Sequence, residues 1–144
     1  MTVRRGQPAD LPRLRAIQAA AVAEPWPELL AARQPGPIEL FVAVDGRPVG
    51  YATVVAPGGV AYLPELAVAP GRQGEGFGTA LLDAVAAAVG ADHAELRLTV
   101  RATDHRVQSF YDDRGFERLD RLPDHFEAGD GYLLRRALRG SAGQ

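Results

Sequence analysis

The chain has neither cysteine nor lysine. Without cysteine there is no disulfide, no thiolate nucleophile and no cysteine-based zinc site. Without lysine there is no Schiff-base amine and no Walker-type phosphate lysine. All 16 basic residues are arginine. The serines, Ser109 and Ser141, stand outside any Gly-x-Ser-x-Gly context, so a serine hydrolase has no support. His93, His105 and His125 have no short-range ligand spacing, and no metal site is expected. Nothing approaches the roughly 18 consecutive apolar residues of a membrane-spanning helix. The opening MTVRRGQPAD lacks the apolar core of a signal peptide. A net charge of -2 and a pI near 5.9 argue against a dedicated nucleic-acid binder. The 144 residues fit one domain, expected over residues 1–140 with a short tail at 141–144. The expectation is a cytoplasmic protein with no nucleic-acid or membrane partner.

The pattern that is present alternates strands with a few helices. Thr2 to Arg5 is a short β-type run. Asp10 stands at a helix N-cap position before Leu11, Leu14, Ile17 and Ala21, which predict a helix to about Ala23. Pro25-Trp26-Pro27 interrupts it, and Glu28 to Arg33 is at best a short second helix. Glu39 to Val44 and Pro48 to Val55 flank the hairpin turn Asp45-Gly46, and Val60 to Val68 is a third, buried strand. A helix is predicted from about Gly76 to Val89, closed by Gly90, then a strand over Glu95 to Arg101 and a helix over Asp104 to Asp113 closed by Gly115. Phe116 to Leu122 and Gly131 to Leu138 read as two last strands around a polar loop. The strand–helix–strand over 60–101 is a crossover unit among antiparallel neighbours, which makes the fold α+β with a mixed sheet.

The informative segment is Pro70-Gly71-Arg72-Gln73-Gly74-Glu75-Gly76-Phe77-Gly78-Thr79, between a buried strand and a helix. Glycines permit a tight turn, and the first turn of the helix presents unpaired N–H groups backed by the positive end of the dipole. That arrangement suits a phosphate or pyrophosphate; the plainer reading is a tight connection. Walker A fails because Phe77-Gly78 follows Gly76 where Lys-Ser/Thr is required. The dinucleotide fingerprint fails because position 79 is threonine and antiparallel strands precede the turn.

Gln73-Gly74-Glu75-Gly76-Phe77-Gly78 resembles the Gln/Arg-x-x-Gly-x-Gly/Ala signature of the GCN5-related N-acetyltransferase (GNAT) superfamily. Leu66-Ala67-Val68-Ala69-Pro70 is similar to the strand and turn before that signature, and Tyr111-Asp112-Asp113-Arg114-Gly115-Phe116 to its Tyr-x-x-x-Gly-Phe motif. Arg4 to Leu11 resembles the family's first strand and Asp-Leu helix start. The resemblance spans about Thr2 to Leu138 and implies a mixed, mostly antiparallel sheet of about six to seven strands flanked by about four helices. It also implies a strand/glycine-rich turn/helix cofactor site.

The resemblance further implies acetyl-CoA in the splay between two central strands. Its pyrophosphate would lie on the N–H groups of Gln73, Gly74, Gly76 and Gly78 near Glu75, Phe77 and Thr79, and its pantetheine arm along the backbone of Leu66 and Val68. Arg72 and Arg101 are candidates to add charge there, or are solvent-facing arginines. Asp104, where the family often has asparagine, and Val107 complete the expected cofactor residues. Tyr111 is the implied general acid, and the Val68 N–H the group that polarises the acetyl carbonyl. Glu65, a carboxylate inside an apolar strand, is the candidate general base; it could equally face solvent or pair with an arginine. Trp26 and Tyr132 are weaker candidates for the acceptor side.

The expected activity is acetyl transfer to a primary amine of a small molecule or peptide. Acyl transfer to an alcohol, or a non-catalytic acyl-CoA-binding or interaction domain, would share the frame. A further alternative is a protein N-terminal acetyltransferase of the ribosomal-protein type, but members of that group commonly carry Glu-Val-Arg where this chain has Thr99-Val100-Arg101. A monomer or a homodimer is expected.

Overall fold

Alternating β-branched and apolar runs separated by glycine and proline turns lay down a sheet, and two of its strands are bridged by an alanine- and leucine-rich helix. The computed structural model describes residues 2–25, 30 and 38–138. The predicted short helix at 28–33, Trp26 and the tail lie outside the described residues, in whole or, for the helix, in all but Leu30. The elements are β1 (Thr2–Arg5), α1 (Leu11–Ala21), β2 (Ile38–Asp45), β3 (Arg47–Val55), β4 (Val60–Val68), α2 (Phe77–Val89), β5 (Glu95–Arg101), α3 (His105–Asp112), β6 (Glu117–Phe126) and β7 (Gly129–Ala137). They form one seven-stranded sheet of order β1-β2-β3-β4-β5-β7-β6. Only β4 and β5 pair in parallel, joined through α2; the other neighbours are antiparallel.

Both faces of the sheet are covered. On one, Leu81, Leu82 and Val85 of α2 are fully buried against Ala43, Val54, Ala61 and Leu96, together with Tyr111 and Phe116. Burial of each such aliphatic side chain is worth roughly 1.5–3 kcal/mol relative to exposure. On the other face, Leu14 and Ile17 of α1 pack with Leu30 on Leu40, Val42, Tyr51 and Ala67. Among the described residues no helix is long and apolar enough to cross a membrane.

Local chemistry shifts several expected boundaries. Asp10 holds the N-cap position of α1 as expected, but with helical backbone angles in a preceding 3-10 turn and no capping bond from its side chain. Its carboxylate instead accepts both guanidinium arms of Arg4, at 2.8 and 2.9 Å, and the Gln7 N–H. Helix α1 stops at Ala21 because Val22 is already extended. Gly90 follows α2 in a right-handed rather than a left-handed conformation. The expected polar loop before β7 is mostly strand: β6 runs on to Phe126, which pairs with Gly129. Pro123 is tolerated there because β6 is an edge strand and its register shifts between Leu122 and Phe126.

Candidate active site

The centre of the sheet comes apart where β4 and β5 diverge. Their pairing covers only Val60–Tyr62 against Glu95–Arg97. Beyond it β4 carries a bulge: Thr53 and Val55 of β3 face Glu65 and Tyr62, so β4 has one residue more than its partner. Within that bulge Pro64 has no N–H to offer a neighbour. The bulge also switches side-chain faces. Ala61 and Leu63 join the α2-side core, whereas Glu65 and Ala67 turn toward α1. The Ala69 N–H donates to Val49 O at 2.8 Å, so by ladder alternation the backbone groups of Leu66 and Val68 face the splay. The Gln73 side-chain amide donates to Val68 O at 3.1 Å and ties the turn to the strand end.

The turn after β4 is shaped by two glycines. Gly74 and Gly76 have φ of 81° and 93°, a left-handed conformation that side chains disfavour, although a Cβ at either would meet open space. Gly76 is thus the N-cap of α2, and no side chain caps it. The first helical bond runs from the Ala80 N–H to Gly76 O, leaving the earlier amides pointing outward. Gly78 serves packing instead: a Cβ there would lie 3.2 Å from Phe110 Cζ.

Helix α3 borders the other side of the opening. Asp104 caps it, its carboxylate accepting the Val107 N–H at 3.2 Å. Tyr111 faces inward, edge-on to Phe110 and Phe116 with ring centroids 5.1 and 5.3 Å away. Burial pushes its phenol well above the ordinary tyrosine value, so the hydroxyl keeps its proton.

Glu65 is only 8% exposed. Its Oε1 accepts the Tyr51 hydroxyl at 2.7 Å and the Gln18 amide at 2.9 Å, while its N–H donates to Thr53 Oγ1 at 3.1 Å. Burial first, and the bond to Glu65 second, raise the Tyr51 phenol far above its ordinary value, which keeps it a donor.

Two chambers meet at this point. A groove of about 710 Å³ is lined by Leu66, Val68, Arg72, Gln73, Gly74, Gly76, Phe77, Gly78, Thr79, Asp104, Val107 and Tyr111. A second chamber of about 320 Å³ lies between the splayed strands, with Glu65, Thr99, Arg101 and Phe126 in its wall. Leu66, Asp104, Val107 and Tyr111 belong to both. Glu65 therefore enters from the α1 face and Tyr111 from the α2 face.

Several expected residues lie elsewhere. Glu75 does not line the groove; its carboxylate is engaged by Arg72 at 3.1 Å. Arg72 also binds Asp45 at 2.6 Å and stacks over Phe77, so its charge is largely balanced within the protein. Arg101 lines the second chamber, 3.7 Å from Asp104, rather than the groove. Tyr132 lines neither chamber, because Arg118 covers its ring at 3.6 Å.

Sequence reasoning missed other residues. Gln18 carried a signal, as a polar residue among the apolar positions of α1. Arg114 lies inside a motif already singled out and lines the groove. Nothing local marks Glu24, whose carboxylate accepts the N–H groups of Glu127 and Ala128 at 3.0 and 3.3 Å from the tip of the β6–β7 hairpin.

The family model for the Acetyltransferase (GNAT) family matches residues 9–116. Solved structures share the fold. The ribosomal-protein-S18-alanine N-acetyltransferase of Escherichia coli is 24% identical, with a TM-score of 0.84 over 95% of this chain and 93% of that one. Arabidopsis thaliana NAA60, in complex with a bisubstrate analogue, is 21% identical, with a TM-score of 0.86 over 97% and 99%. Ard1 of Thermoplasma volcanium is 23% identical, with a TM-score of 0.83 over 95% and 97%. No curated protein matches the chain. A family match across three-quarters of the sequence, on a splayed sheet with an uncapped glycine turn, makes the chain a member of the GNAT acetyltransferase family and an acetyl-CoA-dependent acetyltransferase.

Proposed function

We propose that the acceptor is the free α-amino group of a peptide or protein N-terminus. The observation that carries this reading is the second chamber. It is bounded by Ala21–Glu24, from the last residue of α1 onward, on one side and by Phe126 of the β6–β7 hairpin on the other, and Glu24 clasps the hairpin tip. This leaves a bounded approach to Glu65 and Tyr111, suited to the end of a chain. The E. coli enzyme of the same fold is named for an alanine of a ribosomal protein, which favours the same class of acceptor.

The groove fits the cofactor on this structure's own terms. Uncapped amides of the first turn of α2, with Gly74 and Gly76, form a cradle for the pyrophosphate. The outward backbone groups of Leu66 and Val68 are an open strand edge for the pantetheine arm. Acetyl-CoA, when bound, supplies an acetyl group activated as a thioester. The Val68 N–H polarises the acetyl carbonyl. Glu65 receives the proton of the attacking amine, directly or through water. An α-amine titrates near about 8, against about 10.4 for a lysine side chain, so a single carboxylate meets a modest demand. Tyr111 holds a proton on its hydroxyl for the departing sulfur. Thr99, where related N-terminal acetyltransferases carry glutamate, lines the same chamber as Glu65, so the carboxylate is supplied from β4 instead of β5.

The test is incubation with acetyl-CoA and four acceptor sets: peptides with free N-termini, the same peptides α-blocked, blocked peptides containing lysine, and polyamines. Thiol release and mass spectrometry are read together. Acetylation confined to free α-amines is expected. Preferential acetylation of polyamines or lysine side chains would overturn the reading in favour of a small-molecule or side-chain acceptor.

A further inference from the structure

We propose that Arg114 is a cofactor-binding residue that reads the negative charge of the acetyl-CoA pyrophosphate through the first turn of α2. Its Nε donates to Thr79 Oγ1 at 2.9 Å, and its Nη1 to Phe110 O at 2.8 Å. Its guanidinium lies flat on the Phe110 ring, 3.8 Å from the centroid. Phe110 in turn packs against Gly78. The side chain is therefore fixed, by three contacts, beside the uncapped amides of the glycine turn. A guanidinium has about five N–H donors. Two are committed here, and the others have no partner among the described residues.

The contrast with Arg72 defines the role. Both arginines line the groove. Arg72 is neutralised by Asp45 and Glu75 and braces the turn. Arg114 has no carboxylate within ion-pair distance among the described residues, so its full charge reaches the groove. It also orients Thr79. A hydroxyl that accepts from Arg114 has its own hydrogen turned away from the guanidinium and available to a ligand oxygen. The site thus combines helix amides, one oriented hydroxyl and one unpaired guanidinium, a set matched to a diphosphate.

Binding of CoA and dephospho-CoA, followed by calorimetric titration, tests this without any acceptor, so the result stands apart from the acceptor assignment. Arg114→Gln should weaken both ligands about tenfold at low ionic strength. The loss should shrink to about threefold or less near 1 M salt, where the screening length falls to about 3 Å. Arg114→Lys, which keeps the charge but loses the Thr79 bond and the stacking on Phe110, should weaken binding clearly less than Arg114→Gln. Thr79→Val should weaken binding less than additively with Arg114→Gln. Thermal melting checks folding; should Arg114→Gln fail to fold, the Lys and Thr79→Val variants carry the test. A loss independent of salt, equal for Lys and Gln, or confined to CoA and absent for dephospho-CoA would overturn the assignment.

Discussion

The Tyr51 hydroxyl and Oε1 of Glu65 are 2.7 Å apart, and the same oxygen accepts the Gln18 amide. Three elements, α1, β3 and β4, thus converge on one carboxylate at the edge of the second chamber. Tyr51→Phe keeps the ring and removes a donor to a buried acceptor, at a cost of about 1–3 kcal/mol in stability. Turnover should fall several-fold with acetyl-CoA affinity unchanged. Glu65→Gln should lower turnover by about 100-fold, again without altering cofactor binding. Denaturant unfolding, titration and steady-state rates separate the two effects.

Tyr111→Phe should reduce kcat by roughly 10- to 100-fold while the Kd for acetyl-CoA moves by less than about twofold. Equal losses in both would make the tyrosine a packing residue only. Its folded-state pKa is raised by burial, so the phenol should remain protonated, and able to donate, up to at least about pH 10. The linked stability has the same sign. It is fully present below the ordinary value near about 10 and is lost as pH rises through the raised folded value. Ultraviolet titration of the phenolate in the parent and in Tyr111→Phe reads this directly.

Gly76→Ala places a side chain at φ 93°, in open space but in a disfavoured conformation, for about 1–2 kcal/mol. Relaxation of the turn would move the amides of the cradle, so acetyl-CoA affinity should fall more than stability does. Gly78→Ala should act differently, by pressing on Phe110 from 3.2 Å. Paired melting and titration curves on the two variants distinguish backbone conformation from packing.

Glu24→Gln should weaken the clasp on the Glu127 and Ala128 amides, since a neutral acceptor holds them less well than a carboxylate. The expected result is a rise of about three- to tenfold in KM for peptide acceptors, with kcat and acetyl-CoA affinity little changed. Unchanged acceptor kinetics would make the clasp irrelevant to acceptor binding.

Features decided within a few residues were legible in the sequence. The glycine turn could be placed because left-handed backbone and helix starts are local demands, and the start of α3 at Asp104 could be placed for the same reason. The hairpin at Asp45-Gly46 and the crossover through α2 followed from turn chemistry and apolar spacing. Glu65 stood out as a charge in an apolar strand, but its partners did not, because Gln18 lies 47 residues away and the face it points to depends on a bulge that alternation alone cannot reveal. Glu24 and the hairpin tip meet across more than a hundred residues. The length of β6 was misread because Pro123 and Asp124 imitate a loop, whereas the edge of a sheet accommodates both.

The extra residue in β4 makes the opening of the sheet a matter of strand length. A bulge bends its strand but leaves the residues on either side on the faces that the partner strand dictates, so Tyr62 and Glu65 share a face although three positions separate them. Removing one residue between them would restore a regular ladder with β3 and keep that shared face, but it would take away the bend with which β4 leaves β5. Single substitutions along this strand leave the bend in place, whereas deletion of one codon there removes it. Across natural variants, the spacing from Tyr62 to Glu65 should therefore tolerate changes of residue far more readily than changes of length.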